Sequence, residues 1–180
     1  MNRARVTRRL VSGRVSLETD RLVLRDWHPD DAPVVLDILS RAEVVRWLDD
    51  GEPQLLADLD EARAKIRSWQ DLVPPLRQWA IEVRETGEVV GWACLVPIPT
   101  SGGLVQIGWT LHPDAHGHGY ATEAARAVLD HGLASGLTEV RALMIPDNEP
   151  SMRVAQRLGM RDIGLTDLWY DGPSRVFLAP

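Results

Sequence analysis

The sequence predicts a single α/β (α+β) domain built on a mixed β-sheet, and three observations lead there. At 180 residues, 44% hydrophobic and 26% charged, the chain has the length and composition of one globular domain with its own core. Its first half leads into two strands, Trp79–Val83 and Val89–Val96, joined by a tight turn, which gives that half antiparallel character. Its second half alternates strand, helix, strand, helix, strand, which brings parallel character into the same sheet.

The elements follow in order. Leu22-Val23-Leu24 reads as a short strand, and Asp30 or Asp31 caps a helix through Val34, Val35, Ile38 and Leu39. Pro53 is expected to open a longer helix, with apolar positions Leu55, Leu56, Leu59, Ala62, Ile66 and Trp69 spaced by threes and fours. Trp79 to Val83 alternates as a strand, Thr86-Gly87 is a turn, and Val89 to Val96 completes a hairpin. A loop from Pro97 to Gly103 leads to a third strand, Leu104 to Leu111. Tyr120 to Ala134 is an amphipathic helix whose inner face holds Ala121, Ala124, Ala125, Val128, Leu129 and Leu133. A strand from Val140 to Ile145, a helix from Ser151 to Leu158 ended by Gly159, and two late strands near Ile163 and Val176–Leu178 complete the chain.

Charge and composition exclude several classes. The chain carries net charge −6, against the basic balance of proteins that live on nucleic-acid phosphates. Residues 1–17 hold five arginines and no acid, so the remainder stands at −11 against −6 for the whole. This separates an arginine-rich N-terminal tail, residues 1–16, solvated and free to move, from a domain spanning residues 17–180. A transit peptide is the other reading of such a leader. A secretory signal is not expected, because Leu10-Val11 is broken by Ser12, Gly13 and Arg14. The longest nearly apolar run, Val89 to Pro99, is about half of a bilayer span. One cysteine, Cys94, allows no internal disulfide and points to a reducing, cytoplasmic compartment.

The segment richest in chemistry is His116-Gly117-His118-Gly119-Tyr120-Ala121, between a strand and an amphipathic helix. Glycines let the backbone curl so that several N–H groups converge, and the helix adds its unpaired N–H groups and positive dipole end. Such a nest holds phosphate without lysine. The plainer alternative is a tight turn. The segment is neither a dinucleotide fingerprint, lacking the third glycine, nor a Walker loop, lacking Gly-Lys-Ser/Thr. His112, His116 and His118 could offer three imidazoles to a metal, but nothing elsewhere completes a ligand set except Asp114, and no metal is expected. Without a Gly-x-Ser-x-Gly elbow, Ser-His-Asp hydrolysis is a poor reading.

These signals stand in order along the chain: Leu22-Val23-Leu24-Arg25, Trp79-Ala80-Ile81, Gly87 to Gly91, Ile107-Gly108-Trp109, His116 to Ala124, and Asn148-Glu149-Pro150-Ser151 followed by Leu158-Gly159-Met160. Over residues 17–178 the sequence resembles the GNAT N-acetyltransferase superfamily, in particular its RimJ/RimL-like branch of protein N-terminal acetyltransferases. The resemblance implies a V-splayed mixed sheet flanked by helices, and acetyl-CoA as co-substrate. It places the CoA diphosphate on the backbone of His116, Gly117, His118, Gly119, Tyr120 and Ala121, with His116 standing where the family usually has Gln or Arg. It runs the pantetheine beside Trp109, Thr110 and Leu111, with a backbone N–H near a bulge polarising the thioester carbonyl. Asn148 matches the asparagine that reaches the pantetheine arm, and Ser151 matches the serine proposed to protonate the departing thiolate.

Many family members carry a base glutamate on the central strand. Here that position is Gln106, which accepts no proton. Glu82 is the replacement considered, with a solvated strand face as its alternative. Tyr170 lies where other branches place a general-acid tyrosine; within Trp169-Tyr170-Asp171-Gly172 it also reads as a wall of the acceptor pocket or a plain turn. Trp47 and Trp169 are further candidate walls. Acids at positions 49, 50, 52, 58, 60 and 61 would draw a cationic amine, or simply face water. The acceptor expected is a primary amine, foremost a protein or peptide N-terminus. The alternatives are a small amine such as an aminoglycoside or polyamine, a non-catalytic CoA-binding module, and a partner-binding domain working through its tail. Neither nucleic acid nor membrane is expected as a partner, and a homodimer is admitted.

Overall fold

A nine-stranded sheet organises residues 7–11, 14–48 and 53–180, which the computed structural model describes. Its strands are β1 (Thr7–Val11), β2 (Arg14–Glu18), β3 (Leu22–Arg25), β4 (Arg77–Val83), β5 (Val89–Pro97), β6 (Val105–Leu111), β7 (Val140–Met144), β8 (Arg161–Thr166) and β9 (Ser174–Leu178). They lie side by side as β1-β2-β3-β4-β5-β6-β7-β9-β8. From β1 to β6 every pairing is antiparallel, β6 and β7 are parallel, and β9 returns antiparallel between β7 and β8. Among the described residues the α-helices are α1 (Ala32–Leu39), α2 (Ala42–Val45), α3 (Leu59–Gln70), α4 (Tyr120–Ala134) and α5 (Glu149–Arg157). Among the described residues no helix is long and apolar enough to cross a membrane.

Strand alternation divides the core into two layers. Trp79, Ile81 and Val83 of β4 face one side and pack with Val105 and Ile107 of β6 against Ala124, Ala125, Val128 and Leu129 of α4 and Val154 and Ala155 of α5. Ala80 of β4 and Trp92 of β5 face the other side and pack against α1, α2 and α3. There Trp27, Trp69 and Trp92 form one cluster, with ring centroids 5.1 to 6.3 Å apart.

Three expectations change. The helix expected to open at Pro53 starts at Leu59, because Asp58 accepts from the N–H groups of Asp60 and Glu61 (both 2.9 Å), while Glu61 accepts from Ala57 N–H (2.7 Å). That reciprocal cap outweighs a proline five residues earlier. The boundary expected at residue 16 falls inside β2, and the segment read as a tail contributes, in its described part, a hairpin at the sheet edge. Residues 1–6, 12–13 and 49–52 lie outside the described residues, and with them Arg3, Arg5, Asp49, Asp50 and Glu52. The bulge expected in the strand beside the thioester is not in β6: its register with β5 is unbroken from Val105 to Leu111.

Candidate functional site

The parallel partners β6 and β7 pair over two rungs only, Val105↔Val140 and Gln106↔Arg141, and then part. Beyond Gln106 the two strands leave a wedge that opens toward their carboxyl ends. At that open end the chain enters α4 from the glycine loop and α5 from Asn148, so two helix N-termini converge on the mouth. Carboxyl ends of parallel strands are where open α/β sheets bind ligands.

The backbone of β6 serves both neighbours. His112 N–H donates to Val90 C=O and Ile98 N–H to Leu104 C=O, each at 2.8 Å. With the unbroken register, this gives the even-numbered residues of β6 to β5. Ile107, Trp109 and Leu111 therefore turn their N–H and C=O groups toward the wedge. Of the three β6 residues expected to bind CoA, Trp109 and Leu111 are so placed. Thr110 is not, because its N–H and C=O face β5.

The loop at the mouth is built as a nest. Gly117 and Gly119 hold φ of +81° and +80°, the left-handed region where a side chain is strained. Gly119 caps α4, and the first helical bond runs from Glu123 N–H to Gly119 C=O at 3.1 Å. Tyr120, Ala121 and Thr122 thus have no acceptor within the helix. His118 stacks on Tyr120, centroids 5.4 Å apart and planes 14° apart. His112 is directed elsewhere, its Nε2 lying 3.1 Å from Asp37 and its Nδ1 accepting from Asp114 N–H at 3.2 Å. Among the described residues no group of three or more His, Cys, Asp or Glu is arranged to hold a metal ion.

Sequence reasoning missed two residues that brace this loop from outside it. Arg21 donates from Nη1 to His118 C=O (2.9 Å) and pairs with Glu123 through Nη2 (2.6 Å) and Nε (2.8 Å). Glu123 also accepts from Thr19 Oγ1 (2.6 Å) and Arg21 N–H (3.0 Å). Burial pushes the Glu123 carboxyl up, but the bonds from Thr19 and Arg21 and the charge of Arg21 outweigh it and hold it below the usual value. One signal was available: an acid in the first turn of an anion-binding helix needs a compensating cation.

The expected catalytic side chains are not gathered at one point. Ser151 lies in the first turn of α5 at the open mouth, its N–H donating to Asn148 Oδ1 at 3.2 Å. Asn148 is buried and caps α5. Tyr170 sits at the closed end, in the loop between β8 and β9, where its hydroxyl accepts a short hydrogen bond from Gln106 Nε2. Its neighbour Trp169 carries the Arg141 guanidinium 5.1 Å above its ring. The last rung of the wedge, Gln106 and Arg141, thus holds two successive aromatics.

Glu82 belongs to a different assembly. Arg25 Nε donates to its Oε2 at 2.6 Å, and the same guanidinium makes a bidentate pair with Asp31 (2.8 and 2.9 Å). This cluster joins β3, β4 and the start of α1, so the carboxylate considered as a base is engaged as a structural ion pair. The acids of α3 are also committed, Asp58 and Glu61 to the cap and Asp60 to Arg63 at 2.8 Å. Cys94 lies buried in β5, and burial pushes its thiol up to about 12. Trp47 stacks under Arg46 at 4.4 Å.

The sequence matches the Acetyltransferase (GNAT) domain family over residues 21–161. It is 31% identical over 153 residues to an uncharacterized N-acetyltransferase, p20, of Bacillus licheniformis, covering 83% of this chain and 84% of that one. A GNAT-family acetyltransferase structure from Bacillus anthracis superposes with TM-score 0.76 at 22% identity, covering 91% and 96% of the two chains. RimL, a ribosomal L7/L12 α-N-protein acetyltransferase in complex with coenzyme A, superposes with TM-score 0.73 at 19% identity over 88% and 93%. With the family model spanning most of the chain and a relative 31% identical over four-fifths of it, this chain belongs to the GNAT acetyltransferase family as an N-acetyltransferase.

Proposed function

We propose that the protein transfers the acetyl group of acetyl-CoA to the α-amine at a protein or peptide N-terminus, by direct attack in a ternary complex. The observation that carries this reading is the amide of Gln106, bonded to the Tyr170 hydroxyl where β6 and β7 part, with Glu82 engaged by Arg25. The closed end of the wedge therefore offers an acceptor no carboxylate base from either position. An amine with a pKa of about 8 supplies enough free base by itself near neutral pH, whereas a lysine side chain does not.

In this reading the diphosphate rests on the N–H groups from Gly117 to Ala121, and His116 and His118 add donors beside it. The pantetheine lies along the wedge against the free backbone groups of Trp109 and Leu111. One of these N–H groups faces the thioester carbonyl as negative charge develops there. The amine nitrogen attacks that carbon, the C–N bond forms, and the C–S bond breaks. The nitrogen's proton leaves to solvent and the CoA thiolate takes a proton from Ser151, which water restores. Buried Cys94, held protonated, takes no part as a nucleophile.

The test is thiol release from acetyl-CoA across a panel of amines: peptides beginning with Ala or Ser, lysine peptides, aminoglycosides and polyamines. The expected result is turnover fastest with the N-terminal peptides. Turnover with aminoglycosides or polyamines alone would replace the acceptor, and CoA binding without any release would make the domain a binding module.

A further inference from the structure

The two side chains that sequence reasoning missed stand beside the nest. We propose that Arg21 is a positioning residue for the CoA diphosphate, aiming one donor of the nest and cancelling the charge of Glu123. The inference rests on the CoA reading of the loop and is independent of the acceptor.

Three observations carry it. Arg21 Nη1 holds His118 C=O at 2.9 Å. In a trans peptide the carbonyl and the following N–H point in opposite directions, so this bond turns Gly119 N–H away from Arg21. The left-handed φ of Gly119 then sets that N–H against the first-turn N–H groups of α4, and the glycine alone has the freedom to be set either way. The clamp removes that freedom before the anion arrives, which is preorganisation of a donor.

The second observation is electrostatic. Glu123 lies one turn into a helix whose N-terminus is to receive a diphosphate. Alone it would repel the ligand. Arg21 meets the carboxylate side-on through Nε and Nη2, and Thr19 and the Arg21 N–H occupy its other oxygen. The carboxylate is thereby neutralised and turned toward the turn between β2 and β3.

The third is that the arginine is itself placed at the nest. Its guanidinium carbon lies 4.9 Å from the centroid of Tyr120, whose ring also stacks with His118. Its side chain stays half exposed. A brace that merely fixed the turn between β2 and β3 to α4 would need the Glu123 bonds and nothing on the His118 carbonyl.

Calorimetric titration with CoA and steady-state KM for acetyl-CoA test this on the full chain. Arg21→Gln is expected to weaken CoA by roughly 10-fold and raise KM alike, with kcat within about 2-fold. The double variant Arg21→Gln/Glu123→Gln, having lost cation and anion together, is expected to recover to within about 3-fold of the parent. Arg21→Lys, which keeps the charge and loses the fork, is expected to fall between them and serves if Arg21→Gln does not fold. Parental CoA affinity in Arg21→Gln would overturn the proposal. So would a double variant as weak as the single, which would leave the charge of Glu123 with no part in the loss. Failure of the unaltered protein to bind CoA would instead remove the CoA reading of the loop.

Discussion

At the scale of single residues, the site works through what side chains are prevented from doing as much as through what they offer. Gln106 donates to Tyr170 and accepts no proton. Glu82 is held in an ion pair, and Cys94 is kept as a thiol. Ser151 remains as the proton donor proposed for the departing thiolate. Ser151→Ala is expected to leave CoA affinity within about 2-fold by calorimetry and to lower kcat by roughly 10- to 100-fold. An unchanged kcat would assign that proton to water. The residues of the loop from His116 to Ala121 were legible because two glycines before an amphipathic helix are a local signal. Arg21 and Glu123 were not, since the acid in the first turn of α4 calls for a cation but their pairing spans 102 residues, so nothing local says which one answers.

At the scale of elements, α4 runs from Tyr120 to Ala134 as its sequence pattern indicates, because a long helix with a buried stripe and a glycine start leaves little freedom in its limits. The start of α3 was misread, as proline marks a permitted beginning whereas Asp58 and Glu61 make the bonds that fix one. The β1–β2 hairpin was hidden because its sequence, rich in arginine, shows no clear alternation of apolar and polar residues. The short α2 left no period to read. The central hairpin is set by a close approach. A Cβ on Gly91, whose φ is +152°, would lie 2.1 Å from Thr110 C=O in β6. Gly91→Ala is expected to cost about 3 kcal/mol in denaturant unfolding and, by displacing β6, to weaken CoA binding as well. Parental stability in that variant would show that β5 and β6 can separate locally without consequence for the wedge.

At the scale of the whole molecule, one ion cluster couples the sheet to its helical cover. Arg25 of β3 grips Glu82 of β4 and Asp31 at the entry to α1. Burial acts to raise the Asp31 carboxyl, but the bonds from Arg25 and His28 N–H prevail and hold it below its ordinary value of 3.8. A carboxyl depressed in the folded state stabilises the fold fully above its unfolded value and loses that contribution as pH falls through the folded one. Stability is therefore expected to decline below about pH 4. Asp31→Asn is expected to cost about 2 kcal/mol at neutral pH and to flatten that acid limb in urea titrations. An acid limb identical to the parent's would place the sensitivity elsewhere.

The net acidity of the chain, −6, takes on meaning at the same scale. In the proposed reading a strongly anionic co-substrate would be met by backbone N–H groups, two helix ends, histidines and the Arg21 clamp, so the global charge need not be positive. The division of the core into two layers, with the wedge opening between β6 and β7, places the closed end beside Gln106 and Tyr170 and the open end beside the nest.

The most direct measurement is the pH dependence of kcat/KM for thiol release, with an N-terminal alanine peptide compared with a lysine peptide of blocked N-terminus. A site without a carboxylate base predicts a rate that rises with the acceptor's own ionisation. It levels off near pH 8 for the alanine peptide and leaves the lysine peptide roughly 100-fold slower at pH 7. Equal rates for the two peptides at pH 7, or an inflection well below the acceptor's own pKa, would reveal a base in the enzyme and contradict this account.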